Sequence, residues 1–133
     1  MKSNKWVFIS LATLFSIIAS CNKAKIVKSC IQYKNAAVTK IEGPTSGNVN
    51  QVLNLTVFFG CFNGCGQFGS FEQTTTGNLT TINVIAKYEG CICTQDAPIR
   101  QTVYNFKATE PGVYNINFEQ TQGSYLTHTI IIQ

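Results

Sequence analysis

Residues 112–119 read GVYNINFE, and this short stretch decides the fold class. Apolar and polar side chains alternate along it: Tyr114, Asn115, Ile116, Asn117, Phe118 and Glu119. A β-strand places successive side chains on opposite faces, so strict alternation predicts a strand with one buried face. The stretch therefore indicates a sheet that packs on one side and meets water on the other.

Similar alternation recurs along most of the chain, and turn residues separate the segments. The sequence predicts seven strands, at residues 36–42, 51–59, 67–73, 79–88, 99–107, 112–119 and 126–132. Asn63-Gly64 is the strongest two-residue turn pattern between them. Seven short alternating strands without helical periodicity predict an all-β domain, which we place at residues 36–133.

The segment Glu110-Pro111-Gly112-Val113-Tyr114 resembles the turn into the penultimate strand of immunoglobulin-like domains. In that family a "tyrosine corner" hydroxyl bonds back to the turn backbone, and Tyr114 has the matching position. The resemblance implies a seven-stranded immunoglobulin-like sandwich. The Cys…Trp…Cys pattern of antibody domains is missing, because the only tryptophan is Trp6. A small antiparallel barrel is the alternative fold.

The composition favours one domain that does not bind nucleic acid. The chain has 133 residues, a formal charge of +4 and only 12% charged residues. Lys2 and Lys5 belong to a predicted leader, and their loss brings the charge to +2. A nearly neutral domain lacks the basic surface that phosphate backbones require.

The N-terminus has the layout of an export signal. Lys2 and Lys5 precede an apolar run at residues 6–19. As a helix this run would be about 21 Å long, too short to span a bilayer and typical of a signal peptide.

The run ends in Ile18-Ala19-Ser20-Cys21, which resembles the lipobox of bacterial lipoproteins. The resemblance implies that residues 1–20 are cleaved and that Cys21 receives a diacylglycerol and further acylation, such as palmitate. The membrane is then a partner through these acyl chains.

Residues 21–35 are predicted to form a tether, which begins with the acylated cysteine. Its lysines, Lys23, Lys25 and Lys28, suit anionic headgroups beside the anchor. Asn22 is not the aspartate that commonly retains lipoproteins in an inner membrane, and no acidic export cluster follows it. By the same resemblance, we expect the outer membrane, facing the periplasm, rather than the cell surface.

Two close cysteine pairs, Cys61 with Cys65 and Cys91 with Cys93, form a candidate cluster. In an oxidising compartment disulfides between the two loops are favoured, each stabilising by about 2–4 kcal/mol. A four-thiolate metal site is the alternative, although the Cys91-x-Cys93 spacing is tight for zinc. Cys30 is either free or competes for a partner.

Residues 58–71 contain five phenylalanines and four glycines. Phe62, Phe68 and Phe71 are a candidate aromatic patch for a glycan or protein partner. The alternative interpretation is that they cap one end of the core.

The sequence contains no convincing catalytic constellation. His128 and Asp96 are the only histidine and aspartate, and nothing in their spacing suggests a hydrolytic triad. We therefore expect a non-enzymatic, cofactor-free, membrane-anchored lipoprotein of the cell envelope that acts as a binding or structural module. A metal-binding lipoprotein and an envelope hydrolase are the two alternative functions.

Overall fold

The computed structural model describes residues 29–133, so the predicted leader and Cys21 lie outside the described residues. This part is a sandwich of two sheets, which confirms the predicted all-β fold class. Its strands are β1 (Ile31–Ala36), β2 (Val38–Glu42), β3 (Ser46–Gly47), β4 (Val52–Gly60), β5 (Gly66–Thr76), β6 (Leu79–Glu89), β7 (Ile99–Lys107), β8 (Gly112–Thr121) and β9 (Ser124–Ile132). Between Ser29 and Gln133, no helix is long and apolar enough to cross a membrane.

The smaller sheet has the strand order β2-β4-β7 and is antiparallel throughout. Its centre is β4, whose leucine, valine and phenylalanine side chains alternate with more exposed ones. The buried series continues just past the strand: Leu53, Leu55, Val57, Phe59 and Cys61. One face of β4 therefore packs into the core, as its alternation predicts.

The larger sheet has the order β1-β6-β8-β9-β3, with β5 on the second edge of β6. Strand β6 is central because three strands pair with it. β5 follows its whole length, β1 pairs with its residues 84–89, and β8 pairs with its residues 79–82. The β6–β8 and β3–β9 pairings are parallel, a departure from a purely antiparallel immunoglobulin-like sandwich.

The core lies between the two sheets. Its largest fully buried side chains are Phe59, Phe118, Leu55, Ile82, Ile116, Ile130, Val38, Val57 and Val84. Every predicted strand except the third contributes at least two residues to this core.

Two strands are additional to the seven predicted ones. Residues 31–35, expected in the tether, form most of β1, and Ser46–Gly47 forms β3. Neither has an alternating pattern, since five of the six residues of β1 are exposed. Backbone pairing with β6 and β9, rather than side-chain burial, holds these edge strands, and composition cannot show that.

Candidate functional site at the disulfide-bonded end of the sandwich

Three segments meet at one end of the sandwich. They are Ser29-Cys30 before β1, residues 61–65 between β4 and β5, and residues 90–98 between β6 and β7. Two disulfides join them, Cys30–Cys91 and Cys65–Cys93, with Cα–Cα distances of 5.0 and 5.5 Å. We call this region the disulfide-bonded end.

The pairing differs in one member from the predicted cluster. Cys65, Cys91 and Cys93 form disulfides, but Cys61 is a buried free thiol and Cys30 is bonded in its place. Cys61 extends the inward-facing series of β4 and so points into the core. Cys30 directly precedes β1, and the pairing of β1 with β6 brings it beside the 90–98 loop.

Burial determines the chemistry of Cys61. Its exposed fraction is 3%, and burial raises the pKa of its thiol above the ordinary value for a cysteine. A hydrogen bond with Tyr88 and the charge of Arg100 oppose this shift but do not cancel it. The thiol is therefore protonated at neutral pH, a poor nucleophile and a poor metal ligand.

The metal-site alternative gains no support from this arrangement. Three of its four sulfurs are in disulfides, and the fourth is the buried thiol. Across residues 29–133, no three His, Cys, Asp or Glu side chains are grouped so as to hold a metal ion.

Arg100 fixes the 61–65 loop. Its Nε donates to the carbonyl of Gly66 at 3.1 Å, and its Nη2 donates to the carbonyl of Gly64 at 3.2 Å. The N–H of Gly64 donates to the carbonyl of Thr94, so the loop also bonds to the 90–98 segment. A Cβ on Gly64 would collide with the Thr94 side chain, which explains why glycine follows Asn63 here.

Phe62 forms the aromatic part of this end. It is 49% exposed and stacks on Tyr88, with ring centroids 3.9 Å apart, while Lys34 Nζ lies 4.7 Å from its centroid. Its N–H donates to the Tyr88 hydroxyl at 3.2 Å. Beside it is an open cleft of about 470 Å³, whose lining includes Cys30, Ile31, Phe62, Tyr88 and Cys91.

The predicted aromatic patch is divided in two, because Phe68 and Phe71 do not lie with Phe62. A bulge between Phe68 and Ser70 turns Phe68 and Phe71 to the same inner face of β5. Their rings are 4.8 Å apart and continue a row from Phe59 to Tyr104. A Cβ on Gly69 would lie 2.9 Å from the carbonyl oxygen of Ile85, so the bulge requires glycine. These two rings border the core, and only Phe62 belongs to the disulfide-bonded end.

A family model, the ORF11 beta-sandwich domain, matches residues 55–127. The match covers slightly more than half of the chain and runs from within β4 to within β9. The chain belongs to this family. Neither a curated protein nor a solved structure matches it.

The family match includes only part of the disulfide-bonded end. Cys65 and Cys93 both lie within it, whereas the Cys30–Cys91 disulfide joins the matched segment to β1, which precedes it. The family description names a β-sandwich and no activity, so it supports the fold alone.

The remaining predicted residues lie elsewhere. The Tyr114 hydroxyl donates to the carbonyl of Glu110 at 2.9 Å, the geometry of a tyrosine corner. His128 is on β9 with its Nε2 3.0 Å from the carbonyl of Pro44, and Asp96 is in the loop before β7. Cys21 is outside the described residues.

Sequence reasoning missed four residues of this end, namely Cys30 as a disulfide partner, Tyr88, Arg100 and Ile92. Tyr88 appears in the sequence only as one more inward residue of β6. The exposure of Ile92 could have been predicted, because an isoleucine between two cysteines of a loop belongs to no strand that would bury its side chain.

Proposed function

We propose that the protein is an exported lipoprotein, anchored by acyl chains on Cys21, whose β-sandwich is a non-catalytic binding or structural module of the cell envelope. The lipobox Ile18-Ala19-Ser20-Cys21 carries this proposal. The structure supports it in two ways. The first strand of the described residues begins at Ile31, ten residues after Cys21, so every described strand lies on the mature side of the cleavage point. Two disulfides also suit an oxidising compartment outside the cytoplasm.

The cysteine inventory supports the same proposal. Of the six cysteines in the chain, four are in disulfides and Cys61 is buried as a thiol. Cys21 is the remaining one, and an exposed free thiol is a liability in an oxidising compartment. Acylation of its sulfur removes that liability and supplies the membrane as partner.

Intact mass spectrometry of protein extracted from the membranes of an expressing bacterium tests the proposal. We expect the mass of residues 21–133 with two disulfides plus two or three acyl chains. Alkylation after denaturation without reductant should then add one group, at Cys61. A processed chain without acyl chains, in which Cys21 and Cys61 both become alkylated, would overturn the proposal.

The matched control is Cys21→Ser. This variant keeps the leader and the sandwich but lacks the sulfur that accepts the lipid. It should carry no acyl chain while the two disulfides still form. An acylated Cys21→Ser protein would place the lipid on another residue.

A further inference from the structure

We propose that the disulfide-bonded end is a membrane-contact surface, in which Ile92 enters the interfacial region of the bilayer. The inference rests on the proposed anchor at Cys21. It adds an orientation of the domain and a second, non-covalent attachment, neither of which the anchor supplies.

Ile92 is held away from the protein by covalent bonds on both sides. Cys91 is bonded to Cys30 and Cys93 to Cys65, so the backbone of Ile92 is fixed between two disulfides. Its exposed fraction is 95%, the highest among the exposed large apolar residues of the described chain. The loop therefore cannot fold back to cover this side chain.

Two further exposed apolar side chains lie at the same end of the sandwich. Phe62 is 49% exposed, Ile31 is 38% exposed, and both line the cleft that Cys91 and Cys93 border. Single exposed apolar residues are ordinary. Phe62 and Ile31 differ from them because they line one cleft together with the half-cystines on both sides of Ile92.

The position of the anchor identifies the bilayer as the occupant of this surface. Ser29 is at the disulfide-bonded end, and eight residue steps from Cys21 reach at most about 29 Å. Strand β4 runs about 26 Å from this end to the opposite one at Val52. The opposite end could therefore face the lipid only if those eight steps were almost fully extended, whereas the disulfide-bonded end can face it without any such extension.

The charges at this end suit an anionic surface. Asp96 is the one charged residue within the three segments, and the strands beside them add the cations Lys34, Lys87 and Arg100 and the anion Glu89. Glu89 forms an ion pair with Lys87 at 2.6 Å. Lys34 lies beside Phe62, where its ammonium group can contact an anionic headgroup. Lys23, Lys25 and Lys28 lie between the anchor and this end in the sequence. Basic side chains around apolar ones are typical of interfacial membrane binding.

The test uses tryptophan fluorescence, to which no native residue of the mature protein would contribute an indole signal. Trp6 is the only tryptophan, and it leaves with the leader. A tryptophan introduced by Ile92→Trp is then the single indole of the mature lipoprotein. The acylated protein is placed in vesicles of phosphatidylethanolamine and phosphatidylglycerol that contain acyl-brominated lipid. We expect a blue-shifted emission, loss of most of the fluorescence, and a depth of about 5–10 Å below the headgroups.

Val52→Trp is the matched control. Val52 is 56% exposed and begins β4 at the opposite end, where it pairs with Lys107. Its indole should keep its emission wavelength and intensity in the same vesicles. If tryptophan itself pulled the domain onto the lipid, both variants would be quenched alike, and the proposal would be wrong.

A second pair of variants tests Ile92 without replacing it by an aromatic residue. Phe62→Trp should be quenched by brominated lipid, and adding Ile92→Asp should abolish most of that quenching. Undiminished quenching would show that Ile92 is not the inserted side chain.

The mass of each sample separates the two proposals. Acylation at Cys21 with an unquenched indole at residue 92 overturns the membrane-contact surface and leaves the lipoprotein proposal standing. A chain without acyl groups overturns both, because nothing then brings this end to the bilayer.

Discussion

At the scale of single residues, Gly66 controls how tightly the disulfide-bonded end packs. It begins β5 at the point where the chain passes from the smaller sheet to the larger one. A Cβ there would lie 2.5 Å from Cys61 Cβ, 2.6 Å from Tyr88 Cε1 and 2.7 Å from Cys61 Sγ. Cys61 is buried and Tyr88 is packed against Phe62, so neither side chain can readily move away to admit a larger residue.

Gly66→Ala should therefore lower the free energy of unfolding by about 1–3 kcal/mol, the usual cost of forcing extra volume into a packed site. The measurement is urea unfolding followed by circular dichroism. Gly60→Ala is the matched control, because its added Cβ would meet nothing closer than 3.9 Å. A loss as large at Gly60 as at Gly66 would contradict the steric explanation.

At the scale of elements, β1 and the 90–98 loop depend on covalent bonds more than on burial. Strand β1 buries only Ala36 among its six residues, and Cys30–Cys91 ties its start to the loop. The second disulfide ties the same loop to β5 through Cys65. Gly90, at a φ of 151°, allows Cys65 Sγ to approach, since a Cβ there would lie 2.8 Å from that sulfur. The elements with the weakest side-chain patterns are thus the ones that disulfides hold.

Removal of either disulfide by paired serine substitutions should lower the free energy of unfolding by about 2–4 kcal/mol. The partners of Cys30–Cys91 are 61 residues apart and those of Cys65–Cys93 are 28 apart. If the disulfides act by restricting the unfolded chain, the double variant at residues 30 and 91 loses about 0.7 kcal/mol more. Urea unfolding of both double variants without reductant provides the comparison, and equal or reversed losses would argue against that entropic origin.

At the scale of the whole molecule, four groups with raised pKa values make the free energy of unfolding depend on pH in the alkaline range. Burial raises the pKa of Cys61 above 9.0 and the pKa values of Tyr88 and Tyr104 above 10.0. The hydrogen bond from Lys87 to Glu89 raises the lysine pKa in the same direction. Each group binds its proton more tightly in the folded state, so its stabilising contribution is present at lower pH and lost as the pH rises.

We therefore expect the free energy of unfolding to fall as the pH rises past about 9, with Cys61 titrating first because its unfolded pKa is the lowest of the four. Urea unfolding at a series of pH values from neutral to strongly alkaline measures this. In Cys61→Ala the fall should begin about one pH unit higher, where the tyrosines titrate in the unfolded chain. An onset at the same pH in both proteins would show that burial of Cys61 does not drive the effect.

The sequence by itself determined the fold class, because alternation along the strands is a local property. Segments such as 112–119 carry their own burial pattern, and the Glu110–Tyr114 turn carries its own hydrogen bond. The N-terminal pattern behind the lipoprotein proposal is equally local, since charge, apolar length and Cys21 follow one another directly.

Only the tertiary structure decided the disulfide partners and the make-up of the candidate site. Cys30 and Cys91 are 61 residues apart, and what brings them together is the pairing of β1 with β6. The same holds for the separation of Phe62 from Phe68 and Phe71, which follows from the crossing of the chain between sheets and the bulge at Gly69. The physical reason is that the side-chain pattern of a strand indicates which of its faces is buried. The pattern does not indicate which strands pair with it, because pairing is made by backbone N–H and C=O groups that nearly all residues have in common.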